Sequence, residues 1–107
     1  FNGIVEQASE DELADASAQA DRNGLFSCPQ TGVALAVLLK LTGNGTIQPH
    51  ERVIVVSTAN GLKFVDFKVG YHSNKLDGVD SNLSNFPVEL PGHYDSVVKT
   101  IESAVLS

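Results

Sequence analysis

The chain has 107 residues, a length that holds one domain, or part of one, and leaves no room for two substantial cores. Its 42% hydrophobic and 19% charged content excludes a disordered chain, and 13 acidic against 7 basic residues, a net charge of −6, argue against a long phosphate backbone as partner. The single cysteine, Cys28, excludes an internal disulfide framework and a multi-cysteine zinc site, and no apolar run approaches the length of a membrane span.

The sequence opens at Phe1 rather than at a methionine, without the basic and apolar regions of a signal peptide, so a processed protein or a fragment is expected. Ser9-Glu10-Asp11-Glu12 spells a capping box, in which Ser9 accepts from a free backbone N–H and Glu12 reaches back to Ser9. A first helix is predicted from Glu10 to Arg22, rich in alanine, with acids in its first turn and Asn23-Gly24 as its stop. Leu25-Phe26-Ser27-Cys28 is an apolar run ended by Pro29, too short for a helix and compatible with a buried strand. Over residues 31–41, Val33, Ala34, Val37, Leu38 and Leu41 recur at helical spacing, with Leu35 and Leu39 widening the stripe, which predicts a deeply buried second helix. Gly43-Asn44-Gly45 ends it, and the β-branched run Val53-Ile54-Val55-Val56 predicts a central, two-sided strand of parallel type.

Ser57-Thr58-Ala59-Asn60-Gly61 follows that strand directly. Ligands in open α/β sheets bind outside the carboxyl ends of strands, which makes this turn the candidate site. Gly61-Leu62-Lys63-Phe64 opens a short helix through Val65, Phe67 and Lys68. Residues 70–91, rich in Asn, Ser, Asp, Gly and Pro, are expected to form an extended surface arm. Residues 92–107 place Tyr94, Val97, Val98, Ile101, Ala104 and Val105 on one face of a terminal helix that needs a packing partner. The fold class expected is α/β, with helices on a short parallel-type sheet, in a single partial domain over residues 1–107. Two strands make a poor core on their own, so the isolated chain is expected to be marginally stable.

Three blocks carry a family resemblance. Asp21-Arg22-Asn23-Gly24-Leu25-Phe26-Ser27-Cys28-Pro29-Gln30-Thr31-Gly32-Val33-Ala34-Leu35 is similar to a block near the end of plant-type threonine synthases. Arg52-Val53-Ile54-Val55-Val56-Ser57-Thr58-Ala59-Asn60-Gly61-Leu62-Lys63-Phe64 resembles the family's last sheet strand and following turn, and Tyr71-His72-Ser73 matches a nearby tripeptide. Asn85-Phe86-Pro87-Val88-Glu89 extends the likeness into the arm. Order and spacing agree, and the resemblance covers nearly the whole chain.

This resemblance implies the C-terminal portion of the large domain of a fold-type-II pyridoxal-phosphate enzyme that converts O-phosphohomoserine and water into threonine and phosphate. It implies that Thr58 is the hydroxyl that meets the pyridine nitrogen of the cofactor, with Ser57 as runner-up and Ala59, Asn60 and Gly61 completing the cofactor-binding turn. A hydroxyl donates to an unprotonated nitrogen, whereas a carboxylate would keep it protonated and strengthen the electron sink. On the residues alone, a turn cap is the commoner fate of a Ser-Thr pair and leads; the resemblance moves the balance toward Thr58. The cofactor lysine and the glycine-rich phosphate loop have no counterpart in these residues, so no catalytic residue is assigned, pyridoxal phosphate is not expected to be held covalently, and catalysis by the chain alone is not expected.

Two positions depart from the family, which has histidine where this chain has Gln30 and Asn60. Both amides still hydrogen-bond, but neither transfers a proton near neutral pH. Without the family, Gln30 reads as a helix-entry residue and Asn60 as a residue tolerated in left-handed turns. Cys28 reads as a small buried hydrophobe without chemistry. His50, His72 and His93 are too scattered for a metal set, Glu10-Asp11-Glu12 as a solvated helix start complements the helix dipole, and Lys63 reads as a structural or surface charge.

The partners implied are the N-terminal part of the enzyme or a full-length subunit in a homodimeric family, and a small amino-acid phosphate as substrate, with neither nucleic acid nor membrane. A plastid location follows from the plant resemblance, with no targeting segment in the chain. Two alternatives stand beside the enzyme: a non-catalytic remnant or interaction module that binds another subunit through apolar helix faces, and a small α/β ligand-binding domain.

Overall fold

The computed structural model describes residues 2–107. Helix α1 spans Glu10–Arg22 and α2 Pro29–Gly43; a 3-10 turn at Gly61–Phe64 runs into α3, Val65–His72, and α4 spans Tyr94–Leu106. The capping box forms as expected: Ser9 N donates to Glu12 Oε2 at 2.7 Å and Glu12 N to Ser9 Oγ at 3.3 Å, and α1 keeps the predicted limits. Helix α2 starts two residues ahead of the apolar periodicity, because Pro29 sits at a first helical position where its missing N–H costs nothing.

Helices α1 and α2 pack tightly against each other. A Cβ on Gly32 would stand 2.5 Å from the Leu13 carbonyl oxygen and 3.2 Å from Ser17 Cβ, so only glycine admits this backbone approach. Lys40 Nζ closes the pair from above, 2.7 Å from Glu12 Oε2 and 2.8 Å from the Gln7 carbonyl. That hydrogen bond, with the Ser9 N–H, holds the Glu12 carboxyl below its usual range.

The core gathers Leu13, Ala14 and Ala18 of α1 with Tyr71 of α3, and Val33, Phe67, Leu76, Val79 and Leu83 pack against it. Lys68 crosses from α3 to α1, donating to Ser17 Oγ at 2.7 Å and to both Asp21 carboxylate oxygens at 2.8 Å, with the Phe26 ring centroid 4.9 Å from its ammonium. Residues 70–72 are the last of α3. The remainder of the 70–91 segment lies back on α1 and α3, where Asp80 N donates to Asp11 Oδ1, Asn82 Nδ2 to Asp15 Oδ2, Leu83 N to Tyr71 Oη and Asn85 N to His72 Nδ1.

Three expectations are corrected. The two-stranded parallel-type sheet does not form: among the described residues the β pairing is one antiparallel bridge, Ser27 with Asn60. Residues 53–56 form no regular element and have no β partner, with Ile54 90% and Val56 73% exposed. β-Branching favours extended backbone, yet a strand exists only when a neighbour takes its N–H and C=O groups, and here none does. Helix α2 is less buried than its composition suggests, with Thr31, Gly32 and Ala36 buried and Leu39 about half exposed. One face meets α1, and Val33, Ala34, Leu35, Val37, Leu38 and Leu41 are only half-buried. Finally, Asn60 has φ −86°, so it is not a left-handed residue.

No residue of α4 is buried, although Val97, Ile101 and Val105 form an apolar stripe. The Cα radius of gyration is 16.6 Å, against about 13 Å for a compact chain of this length. No helix among the described residues is long and apolar enough to cross a membrane.

Candidate functional site

The turn at residues 57–61 is held against the start of α2 by backbone and side chains together. Cys28 N donates to the Ala59 carbonyl at 3.2 Å and Gly61 N to the Phe26 carbonyl at 3.0 Å. Pro29 fixes where α2 begins, and Cys28 and Thr31 thereby face the turn from the helix's first residues. Thr58 Oγ1 lies 3.7 Å from Cys28 Sγ, Cys28 Sγ 3.2 Å from Thr31 Oγ1, and Thr31 Oγ1 3.2 Å from Ser57 Oγ. Sequence spacing sets the Cys28 and Thr31 pair far from the Ser57 and Thr58 pair, and the fold brings the two pairs into one line.

Each residue of the turn has a distinct environment. Ser57 and Thr58 are exposed while their hydroxyls touch this buried line. Asn60 Oδ1 accepts from Leu62 N at 2.9 Å and caps the 3-10 turn, leaving its NH2 for another acceptor. Gly61 is buried, and a Cβ there would stand 2.8 Å from two Phe26 ring carbons and 3.0 Å from Lys68 Cε. Its smallness serves packing by Phe26 and Lys68. Ala59 is half-buried and supplies the carbonyl that anchors Cys28.

Cys28 is fully buried, as its apolar run suggested, but it also hydrogen-bonds, which composition did not show. Burial pushes its thiol up, and hydrogen bonds from Thr31, Thr58 and the Ala59 backbone outweigh that, bringing it down to about 7. Gln30 is exposed at the second position of α2, and Lys63 is exposed on the 3-10 turn. Sequence reasoning gave no role to Lys68, which joins α1 and α3 and packs beneath Gly61. No local signal marks it, because its partner Asp21 is 47 positions away.

The residues present fit a flat, nitrogen-bearing ring only in part. Thr58 is exposed and its recorded partner is a sulfur at 3.7 Å, a weak acceptor, so its hydroxyl has capacity to spare for an outside nitrogen. Ser57 also reaches solvent, whereas Gly61 is closed off by the Phe26 ring.

No family model matches the chain. It is 46% identical over 106 residues, 99% of its length, to threonine synthase 2, chloroplastic, of Arabidopsis thaliana. It is 31% identical over 98 residues, 91% of its length, to a threonine synthase of Bacillus sp. (strain ULM1). The chain spans 20% of the plant relative and 27% of the bacterial one. These matches show a chain related in sequence to the threonine synthases and corresponding to one portion of such an enzyme. Within that class the plant relative is the more similar of the two, in accord with the blocks at residues 21–35 and 52–64.

Proposed function

We propose that this chain is the C-terminal part of a pyridoxal-phosphate-dependent, threonine synthase-like enzyme of the plastid, acting on O-phosphohomoserine and water to give threonine and phosphate. The observation that carries the reading is the exposed residue Thr58 just after the unpaired 53–56 run, in a chain 46% identical to a plant threonine synthase. The bound cofactor supplies an electron-withdrawing ring. Thr58 donates to its nitrogen without charging it, and Ser57 stands beside Thr58 as the second hydroxyl. Ala59 and the Asn60 NH2 complete the contact, and Gly61 keeps the turn packed on Phe26.

The exposed Val53-Ile54-Val55-Val56 backbone takes its sheet neighbours from the rest of the enzyme, which also brings the cofactor lysine and the phosphate loop. The helices then pack on a sheet, and the subunits pair in a homodimer. The chain alone does not catalyse. Gln30 and Asn60 hold by hydrogen bonding what the family's histidines would hold, without transferring protons.

A second reading, a non-catalytic module that binds another subunit, draws on the exposed apolar stripe of α4. Titration with pyridoxal phosphate separates the two, made on the chain alone and on the chain mixed with a polypeptide that supplies the lysine and phosphate loop. A saturable induced circular dichroism in the mixture, weakened by Thr58→Ala, supports the enzyme. Association with no induced signal supports the module.

A further inference from the structure

The line Thr58, Cys28, Thr31, Ser57 has a proton inventory that the structure makes countable. Each of its four groups carries one hydrogen and also accepts, and three contacts join them. With the thiol protonated, three hydrogens fill the contacts and the fourth is left over. Both ends of the line reach solvent, so two arrangements waste no buried hydrogen: one runs from Ser57 to Thr31 to Cys28 to Thr58 and frees the Thr58 O–H to point outward, and the other runs the opposite way and frees the Ser57 O–H. With sulfur as thiolate only three hydrogens remain. Thr58 and Thr31 both donate to the anion, Ser57 donates to Thr31, and Thr58 has nothing to give outward.

The geometry points to Cys28 as a positioning residue whose protonation state decides whether the Thr58 hydroxyl is free to donate outward to the cofactor ring or is held donating inward to sulfur. This rests on the proposed role of Thr58 as partner of the ring nitrogen. The groups facing the thiol are the Thr31 hydroxyl and backbone on α2, and the Thr58 hydroxyl and Ala59 backbone on the turn, none of them charged. The balance at sulfur is therefore set by hydrogen bonds against burial, and it falls at about 7. The turn's hold on the cofactor weakens as pH rises through the titration of Cys28 and strengthens as pH falls.

Two readouts test this. The first is the Cβ chemical shift of Cys28, the chain's one cysteine, against pH in the chain itself. Thr58→Val removes a donor to the thiolate and shifts the midpoint upward; an unchanged midpoint overturns the proposal whatever the turn binds. The second is the induced dichroism of pyridoxal phosphate against pH, on the chain complemented with the rest of the enzyme. Wild type loses roughly fivefold in apparent affinity across the thiol titration, the worth of one hydrogen bond. Cys28→Ser keeps the tighter affinity throughout, because serine donates but does not ionise. One shared profile for wild type and Cys28→Ser overturns the positioning role while leaving Thr58 as cofactor partner. An absent signal in both, with the Cys28 midpoint responding to Thr58→Val, overturns the cofactor reading and this inference with it.

Discussion

Lys68 on α3 holds both carboxylate oxygens of Asp21 on α1 at 2.8 Å, in a site where each side chain is largely withdrawn from water. The ammonium also donates to Ser17 Oγ at 2.7 Å and lies over Phe26, so every hydrogen of the cation has a partner. A pair of this kind costs desolvation to form, and its loss on one side is more damaging than its absence. Lys68→Met leaves the Asp21 charge unpaired and is expected to destabilise by roughly 3 to 5 kcal/mol. Lys68→Met with Asp21→Leu recovers most of that. Urea midpoints of the two variants check it, and a double variant no better than the single one refutes it.

Two glycines rank in a definite order. At Gly32 an added methyl meets the Leu13 carbonyl, which is helix backbone and cannot swing aside. At Gly61 it meets the Phe26 ring, on a side chain 40% exposed and able to rotate. Gly32→Ala is expected at the upper end of overpacking costs, about 3 kcal/mol, and Gly61→Ala nearer 1 kcal/mol. Thermal or denaturant unfolding of both gives the comparison, and the reverse order would contradict the backbone contact at Gly32.

Tyr71 gives the chain an alkaline limit. Burial, then its 2.5 Å hydrogen bond to Asp15, push the phenol up to about 12, with the Leu83 N–H pulling the other way. A group whose folded value is raised stabilises the fold fully below its unfolded value, near 10, and loses that contribution as pH rises through about 12. Tyr71→Phe is less stable near neutrality but shows a shallower decline over this alkaline window. Equal slopes for both proteins would count against it.

Helix α4 should be the least protected element. It contributes no buried residue, and an isolated helix of 13 residues is marginal in water. Amide hydrogen exchange is expected to be fast along α4 and slow in the middle of α1, where Leu13, Ala14, Ala16, Ser17 and Ala18 are buried. Protection of α4 equal to that of α1 would show that the helix has a partner in solution. On the proposed function, addition of a polypeptide corresponding to the rest of a threonine synthase should raise α4 protection.

The local parts of the fold were legible because their causes are local. The Ser9 and Glu12 capping box, the alanine-rich run and Asn23-Gly24 fix α1 within a few neighbouring residues, and α1 forms with those limits. Likewise, the helical spacing after residue 92 corresponds to α4 over Tyr94–Leu106. The Val53–Val56 run was expected to be a central strand and is not one, because strand pairing depends on chain elsewhere.

The sequence by itself determined the helices and the relation to threonine synthase, since capping, periodicity and motif order are written in consecutive residues. Only the tertiary structure decided that Thr58 meets Cys28, that Thr31 meets Ser57 and that Lys68 meets Asp21. These contacts join positions 30, 26 and 47 residues apart. Hydrogen bonds and buried charges reward geometry within about 3 Å, and no pattern of neighbours along a chain encodes which distant groups will arrive there.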